Sequence, residues 1–517
     1  MAASILIFLG LTYTFVEAGG YSLLEAFAKT LLFSTSFNAG LLVSIGTYRL
    51  FFHRCRKFPG PVGAKLSRFY VAYLNAKSYQ FYKELEDMHE TYGDFVRTGP
   101  RELSILDKDA VALIYGSNSE CRKASWYAQG GNDPDVVAIN MIRDAKTYRQ
   151  RRRAWDRGLA NKAVTTYEPR VKAKADVFIE QLRANAGKPM DVTAWSMFFG
   201  FDVMGDVGFS KDFNNVTSGI EHPAIQQIHK HMSIFGVLQA LPWLMNILAS
   251  IPGAASSFYE FFTFCAEQMR EKEIEYSSEK NPRDVAAWLI KAVIEKDVSA
   301  SPTPQSLADD SRSLIIAGSD TTANTLAIML FYLTKNPSKL ETLQRLIDAA
   351  VPGGPSTWNY DSIKTVTYID DIINEALRLK PPVIHGGPRE TPAKGIHVGD
   401  VYIPGNTTVS VPYLLIQRDP RWWKEAEDFI PERFGERRAE MGTDDAPWLP
   451  FTLGTHACAG KGLAYMILRT SLSLIVQNFD VSFAPGETGE TFDTGFLDTF
   501  LLALPPLHLQ FSPRVRA

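Results

Sequence analysis

Between Ser306 and Pro337 the chain reads SLADDSRSLIIAGSDTTANTLAIMLFYLTKNP, a helical pattern closed by a proline. The apolar flanks Leu314-Ile-Ile316 and Leu326-Ala-Ile-Met-Leu330 argue for a core helix rather than a solvent-facing one. Inside it lies Ala317-Gly-Ser-Asp-Thr-Thr322, an odd insert for such a place. Glycine costs about 1 kcal/mol against alanine in a helix interior. Hydroxyls can bond back to carbonyls one turn earlier, and a buried aspartate needs a partner. The insert predicts a local distortion that opens room for a ligand or water.

The rest of the chain is also mainly helical in pattern, as at Tyr79–Gly93, Phe178–Ala184 and Phe258–Tyr276. Strand-like alternation begins at Phe95 and returns at Gly395–Pro404 and Thr407–Pro412. No Ser/Gly-rich linker and no repeat interrupts residues 64–513, so one large, mainly α domain with a minor β part is expected. The soft prior of ~150 residues per domain is one that large enzymes often exceed. The net charge of −3, from 54 basic and 57 acidic side chains, speaks against a nucleic-acid partner. Cys55, Cys121, Cys265 and Cys458 are too scattered for a disulfide framework and point to a reducing compartment.

The N-terminus departs from this pattern. Residues 1–16 carry no charged side chain but are short for a span of about 20 residues. Thr30–Tyr48 is uncharged and long enough, and Arg49, Arg54, Arg56 and Lys57 follow it. Those basic residues predict that the downstream chain stays in the cytosol. Residues 1–56 are therefore expected to be a membrane anchor of one or two helices. Residues 57–63, KFPGPVG, read as a stiff hinge, and 64–517 as the folded domain.

Four further stretches carry chemistry. In FTLGTHACAG, residues 451–460, Gly454 and Gly460 flank Cys458, and an apolar helical pattern follows. A thiol just before a helix N-terminus meets free N–H groups that stabilise a thiolate. A zinc clasp of His456 and Cys458 is a weak reading, because no second ligand pair has suitable spacing. Glu375 and Arg378 stand three apart on one helix face, ended by Pro381 and Pro382. Arg433 lies in the Pro-led FIPERFG, and Arg149, Arg151, Arg152, Arg153 and Arg157 crowd KTYRQRRRAWDRG. Arg389 stands in GGPRETP. There is no Gly-x-Gly-x-x-Gly and no P-loop, so the chain shows no dinucleotide or P-loop fingerprint of its own.

Polar-interrupted helix, Glu-x-x-Arg, Pro-Glu-Arg-Phe and Phe-x-x-Gly-x-His-x-Cys-x-Gly occur in that order. The cysteine motif alone would arise by chance with a probability on the order of 1 in 10⁴. In this order the chain resembles the cytochrome P450 superfamily of haem-thiolate monooxygenases, over about Lys57 to Arg514. RRRAWDRGL, FDVMGDVGFSKDF, INEALRLKPPV and FAPGET resemble its filamentous-fungal branch, many of whose members tailor secondary metabolites.

The resemblance implies haem b with Cys458 as the axial thiolate on iron. It implies that His456, Arg389 and Arg152 meet haem propionates, with Tyr148 standing where the family has Trp or His. Glu375, Arg378 and Arg433 would form a buried structural charge cluster. Asp320 and Thr321 match the acid–alcohol pair that delivers protons for O2 cleavage. Implied partners are a small organic substrate, O2, membrane lipid, and a separate NADPH-dependent flavoprotein reductase, with cytochrome b5 as a second electron source. The endoplasmic reticulum membrane, catalytic domain in the cytosol, is the implied location. The alternatives are the same fold acting as an oxidative coupling enzyme, isomerase or dehydratase, or a non-enzymatic haem sensor. Trp126–Asn140, Val383–Gly387 and Asp498–Leu502 match the family's substrate-contact regions without selecting a compound class. The sequons at Asn215 and Asn406 are expected to be unused in a cytosolic domain.

Overall fold

Residues 4–52 stand apart in their exposed apolar surface. Helix α1 (Ala2–Glu17) packs against α2 (Leu23–Thr47), which a capping box of Ser22 and Glu25 starts. The two helices share a hydrogen bond between the Thr12 and Thr30 hydroxyls, 3.1 Å long, and a Phe8–Phe27 ring contact. Almost none of the apolar segment Leu23–Phe52 is buried, whereas the equally apolar Pro304–Lys335 is mostly buried. Length and composition alone would not separate them, but burial does: the first is anchor-like, the second is core.

This computed structural model describes residues 2–128, 133, 135–251, 253, 256–276 and 282–515. Part of the expected substrate-contact stretch Trp126–Asn140 lies outside them. The connector after α2 is docked rather than free: Pro59 O accepts from Arg97 N at 2.7 Å. Gly60 is needed there, because its φ is +151° and a Cβ would meet Arg97 O at 2.4 Å.

Helices α3 (Phe69–Ser78) and α4 (Phe81–Tyr92) lead to strands β1 (Phe95–Gly99) and β2 (Glu102–Ile105), then to α5 (Lys108–Tyr115). After β3 (Arg122–Lys123) come α6 (Ala145–Leu159), α7 (Asn161–Ala184), β4 (Pro189–Asp191), α8 (Val192–Phe209), α9 (Pro223–Leu238) and α10 (Ser256–Glu275). Next are α11 (Val285–Ile294), α12 (Pro304–Lys335), α13 (Pro337–Ala350) and α14 (Thr367–Leu379). Strands β5 (Arg389–Glu390), β6 (Ile396–Val398), β7 (Val401–Ile403) and β8 (Thr408–Ser410) precede α15 (Lys461–Asn478). The chain closes with β9 (Phe479–Phe483), β10 (Leu497–Thr499), β11 (Leu501–Ala503) and β12 (His508–Pro513).

The expected α-rich fold with a small β part is what forms. Helix α12 is its axis, with α8, α10, α14 and α15 packed on it and Leu326, Ile328, Met329 and Phe331 fully buried. One sheet has the order β1-β2-β8-β5-β3, in which Lys123 and Arg389 are directly paired. Sequence distances of over 260 residues across that pair make it invisible to local patterning. The four cysteines are free thiols, as their spacing predicts. Asn215 is buried and donates to Asp202 Oδ1 at 2.8 Å, so that sequon is closed to modification.

Glu375, Arg378 and Arg433 are all fully buried and paired. Arg378 donates to both Glu375 oxygens at 2.7 and 2.8 Å, and Arg433 Nε donates to Oε1 at 2.9 Å. Their remaining N–H groups find the carbonyls of Gln417, Ala426, Lys424 and Glu425. Both guanidiniums also lie over the Trp423 ring. Lysine has neither the fork nor the donor count for these places. Glu375→Gln leaves buried positive charge uncompensated and is expected to cost about 3–5 kcal/mol of stability. Denaturant unfolding followed by circular dichroism checks this; a loss under about 1 kcal/mol would contradict the buried-pair account.

Candidate active site

Cys458 follows a short turn (Gly454–His456) and precedes α15. Its own N–H donates to Phe451 O at 2.9 Å, which pins the loop. Gly454 has φ +62°, and a Cβ there would meet Gly116 backbone at 2.6 Å, so only glycine brings this loop against the end of α5. Gly460 has ordinary φ and needs no such freedom. The Sγ receives N–H donors from Gly460 and Lys461, as a helix start offers. Cys458 is accessible by area, yet burial pushes its thiol up, so it opens onto a recess and not onto bulk water.

Positive charge converges beside it. His456 packs on Tyr148 at 4.4 Å between ring centres. Arg152 donates to Tyr148 Oη at 2.9 Å and to Ala457 O at 2.8 Å, with Asp156 on its outer side. Tyr148 therefore does supply a polar contact where the family's Trp or His stands. Lys123 and Arg389 are buried partners on β3 and β5, and neither has an ion-pair carboxylate among the described residues. The Lys123 ammonium lies over Tyr148 and Tyr127 and donates to Asn140 O. Arg389 lies over Tyr115 and donates to the Gly387 and Pro388 carbonyls. Burial, with Arg389 and Arg152 near, holds the Lys123 ammonium well below its usual range. Burial and the same three cations push His456 down to about 3, and its Nδ1 has no partner among the described residues.

Like charges opposed across a strand pair are destabilising, and unpaired buried cations more so. Two buried cations without a carboxylate partner favour an anion beside them. Lys123 escaped the sequence reading, since nothing in CRKASWYA marks it until β3 pairs with β5.

The arginine cluster separates by helix face. Arg151 turns inward to Asp310, with Nη2 2.7 Å from Oδ2, and is buried; Arg152 turns to the cysteine loop; Arg153 is exposed. Asp310 also accepts from Ser301 Oγ and Ile139 N. Arg151→Met would strand a buried carboxylate and is expected to cost about 3–5 kcal/mol. Arg153→Ala is expected to stay within about 0.5 kcal/mol, both by denaturant unfolding.

Asp320 and Thr321 lie on α12, which packs on α15. The expected backbone distortion does not form: α12 is α-helical from Pro304 to Lys335. Ser319, Thr321 and Thr325 donate to the carbonyls of Ile315, Ala317 and Thr321 at 2.7–2.8 Å, which absorbs the hydroxyls without breaking the ladder. Gly318 serves close packing, since a Cβ would meet Met204 at 2.5 Å. Room comes from a side-chain notch instead: Ala317 is exposed, with Ile316, Gly318 and Thr321 half-buried around it.

Elsewhere a half-open recess of about 1070 Å³, open solvent included, is formed by residues that belong neither to α12 nor to the Cys458 loop. Trp126, Val383, His385, Gly386, Asp498 and Phe500 line it, so the three sequence regions expected to contact substrate meet at one place. The described residues hold no cluster of three or more metal-ligating side chains, which leaves the zinc reading without support.

The cytochrome P450 family profile matches residues 61–511. A cytochrome P450 monooxygenase, orf5, of Eupenicillium brefeldianum is 38% identical, covering 95% of this chain and 97% of the relative. Tryprostatin B 6-hydroxylase of Aspergillus fumigatus is 32% identical, covering 89% of this chain and 80% of the relative. The fold is similar to a crystal structure of a cytochrome P450 (CYP102L1), with TM-score 0.69 and 19% identity over 84% of this chain and 94% of that one. With that profile spanning nearly everything after the N-terminal helices, the chain belongs to the cytochrome P450 family of haem-thiolate monooxygenases.

Proposed function

We propose that this chain is a membrane-anchored monooxygenase that places one oxygen atom of O2 into a small organic molecule and reduces the other to water. The observation that carries the site assignment is the buried, carboxylate-free pair Lys123 and Arg389 beside the Cys458 loop. Such a pair fits the two propionates of haem b, with Arg152 and His456 adding donors. The unpartnered His456 Nδ1 supports the same reading. Bound through Cys458, the haem supplies an iron whose thiolate ligand favours O–O cleavage.

The protein's own groups then do the following. The N–H donors of Gly460 and Lys461 hold charge on Cys458 Sγ and tune the ligand. Thr321 Oγ1, whose proton rests on Ala317 O at 2.8 Å in this structure, turns from that carbonyl to hand a proton into the recess, and the Asp320 carboxyl resupplies it. The cavity walls exclude water and orient the substrate. Electrons come from a separate NADPH-dependent flavoprotein reductase, with cytochrome b5 as a second source, since the chain has no nucleotide fingerprint. The exposed apolar face of Leu23–Phe52 supports an anchor made of residues 1–56, with the domain after residue 63 on the cytosolic face of the endoplasmic reticulum. The hydroxylase among the relatives supports hydroxylation within fungal secondary metabolism. Oxidative coupling is the second reading. The presence of both Asp320 and Thr321 favours O2 chemistry over the isomerase, dehydratase and sensor readings.

The reduced, CO-bound protein is expected to show the red-shifted band of thiolate-ligated haem, and Cys458→Ser to lose it. A band at the histidine-ligated position in the unaltered protein would sink the ligand assignment. Thr321→Ala is expected to lower product formation by about 10²-fold and to release peroxide, with haem content unchanged. Lys123→Met is expected to lower haem retained per polypeptide after gel filtration, measured as the pyridine haemochrome. Retention equal to the unaltered protein would remove Lys123 from the cofactor site.

A further inference from the structure

Charge is one-sided where the N-terminal helices meet the folded domain. From Thr30 to Lys83 the chain has no acidic side chain, yet Arg49, Arg54, Arg56, Lys57 and Lys65 follow the apolar helix. The chain as a whole is nearly balanced, at −3. The helical stretch Thr30–Tyr48 is about 28 Å long, close to the thickness of a hydrocarbon core, which sets Arg49 at the level of the lipid phosphates.

Folding adds a cation that the sequence does not announce. Arg97, in β1, is fully buried. Its Nη1 donates to Arg49 O at 3.0 Å and its Nη2 to Pro100 O at 2.6 Å, both uncharged acceptors. Its Nε has no partner among the described residues. A buried arginine without a carboxylate leaves positive charge uncompensated. Arg49 in turn donates to Leu66 O, which ties the end of α2 to the helical turn Val62–Leu66. Arg54 donates to another carbonyl, of Asn406, at 3.4 Å. Arg49, Arg54, Arg97 and Arg101 all lie near enough to act on the His53 ring, and Arg97 acts on Lys65. That ring adds no charge, because its Nδ1 accepts from Cys55 N at 3.1 Å and so carries no proton. Arg101 shares Glu390 with Arg122 and Arg143, so that carboxylate is already outnumbered. The cations of this corner are thus held in place by backbone carbonyls, unlike those of a flexible basic tail.

The rim around them is apolar. Phe51, Phe52, Val62 and Phe69 are 52–67% exposed. A free anion gains nothing from such a rim, whereas the glycerol and acyl part of a lipid does. A zwitterionic headgroup would bring its own cation into the cluster and be repelled. We propose that Arg49, Arg54 and Lys65, with Arg97 behind them, bind the phosphate of an anionic glycerophospholipid. The buried guanidinium does not touch the lipid; it holds the Arg49 carbonyl and adds its field to that of the accessible cations. This goes beyond the monooxygenase reading and rests on the anchor reading of residues 1–56, since the site needs headgroups at that level.

The test uses full-length, haem-loaded protein in detergent micelles that hold equal amounts of dioleoyl phosphatidic acid and dioleoyl phosphatidylcholine. Bound lipid is counted by native mass spectrometry. Phosphatidic acid is expected to be retained about tenfold over phosphatidylcholine, or more. Arg54→Gln with Lys65→Gln is expected to bring that ratio toward one. Arg153→Gln with Lys162→Gln removes the same charge from exposed helix positions and is expected to leave the ratio unchanged. Equal retention of the two lipids by the unaltered protein overturns the proposal, and this arm needs no variant to fold. An unchanged ratio in the first variant overturns it as well, and so does an equal fall in the second, which would make net charge the whole cause. Displacement of phosphatidic acid by excess inorganic phosphate overturns the lipid assignment. Carbonate extraction of the expressing membranes reads the anchor separately. Release of the protein overturns the anchor reading and the site with it, whereas retention in the pellet without lipid preference overturns the site alone.

Discussion

The carboxylate of Glu375, fully buried between two guanidiniums, is the constraint on which the rest of the molecule hangs. It fastens α14 to the irregular segment around Arg433, and the arginines collect carbonyls from Gln417 to Asp428. Gln417 extends the network, donating to the Leu377 and Arg378 carbonyls and accepting from Leu449 N at 2.6 Å. Two residues on, Phe451 O receives the Cys458 N–H. A desolvated charge cluster is thus connected, bond by bond, to the position of the thiol. A network of this kind tolerates little slack, because each unmade bond would leave a buried polar group unpaired.

Against that rigid side stands a site with surplus positive charge. Lys123 and Arg389 are brought together by strand pairing and covered by tyrosine faces, and no carboxylate was supplied for them among the described residues. If Lys123 and Arg389 meet the propionates as proposed, stability and cofactor binding would be coupled through that imbalance.

Much of this was legible in the chain. The order of four motifs pointed to the family, and the apolar pattern around Leu314 and Leu326 pointed to the core helix that α12 became. Cys458, His456, Arg152 and Arg389 were singled out and do gather at one place. What patterning misread was local: Gly318 signalled a distortion but turned out to fill a packing contact with Met204. Among five crowded arginines, helix phase sent Arg151 inward to Asp310 and Arg152 to the cysteine loop.

The sequence by itself determined the membrane-like character of the first helices, the helical body and the thiol before a helix start. These depend on composition, periodicity and short spacing, which act along the chain. Tertiary structure alone decided that Lys123 faces Arg389 and that His385 bonds to Asp498. Those outcomes depend on burial and on pairs of residues more than a hundred positions apart, where desolvation makes each charge or lone pair count and no local pattern records it.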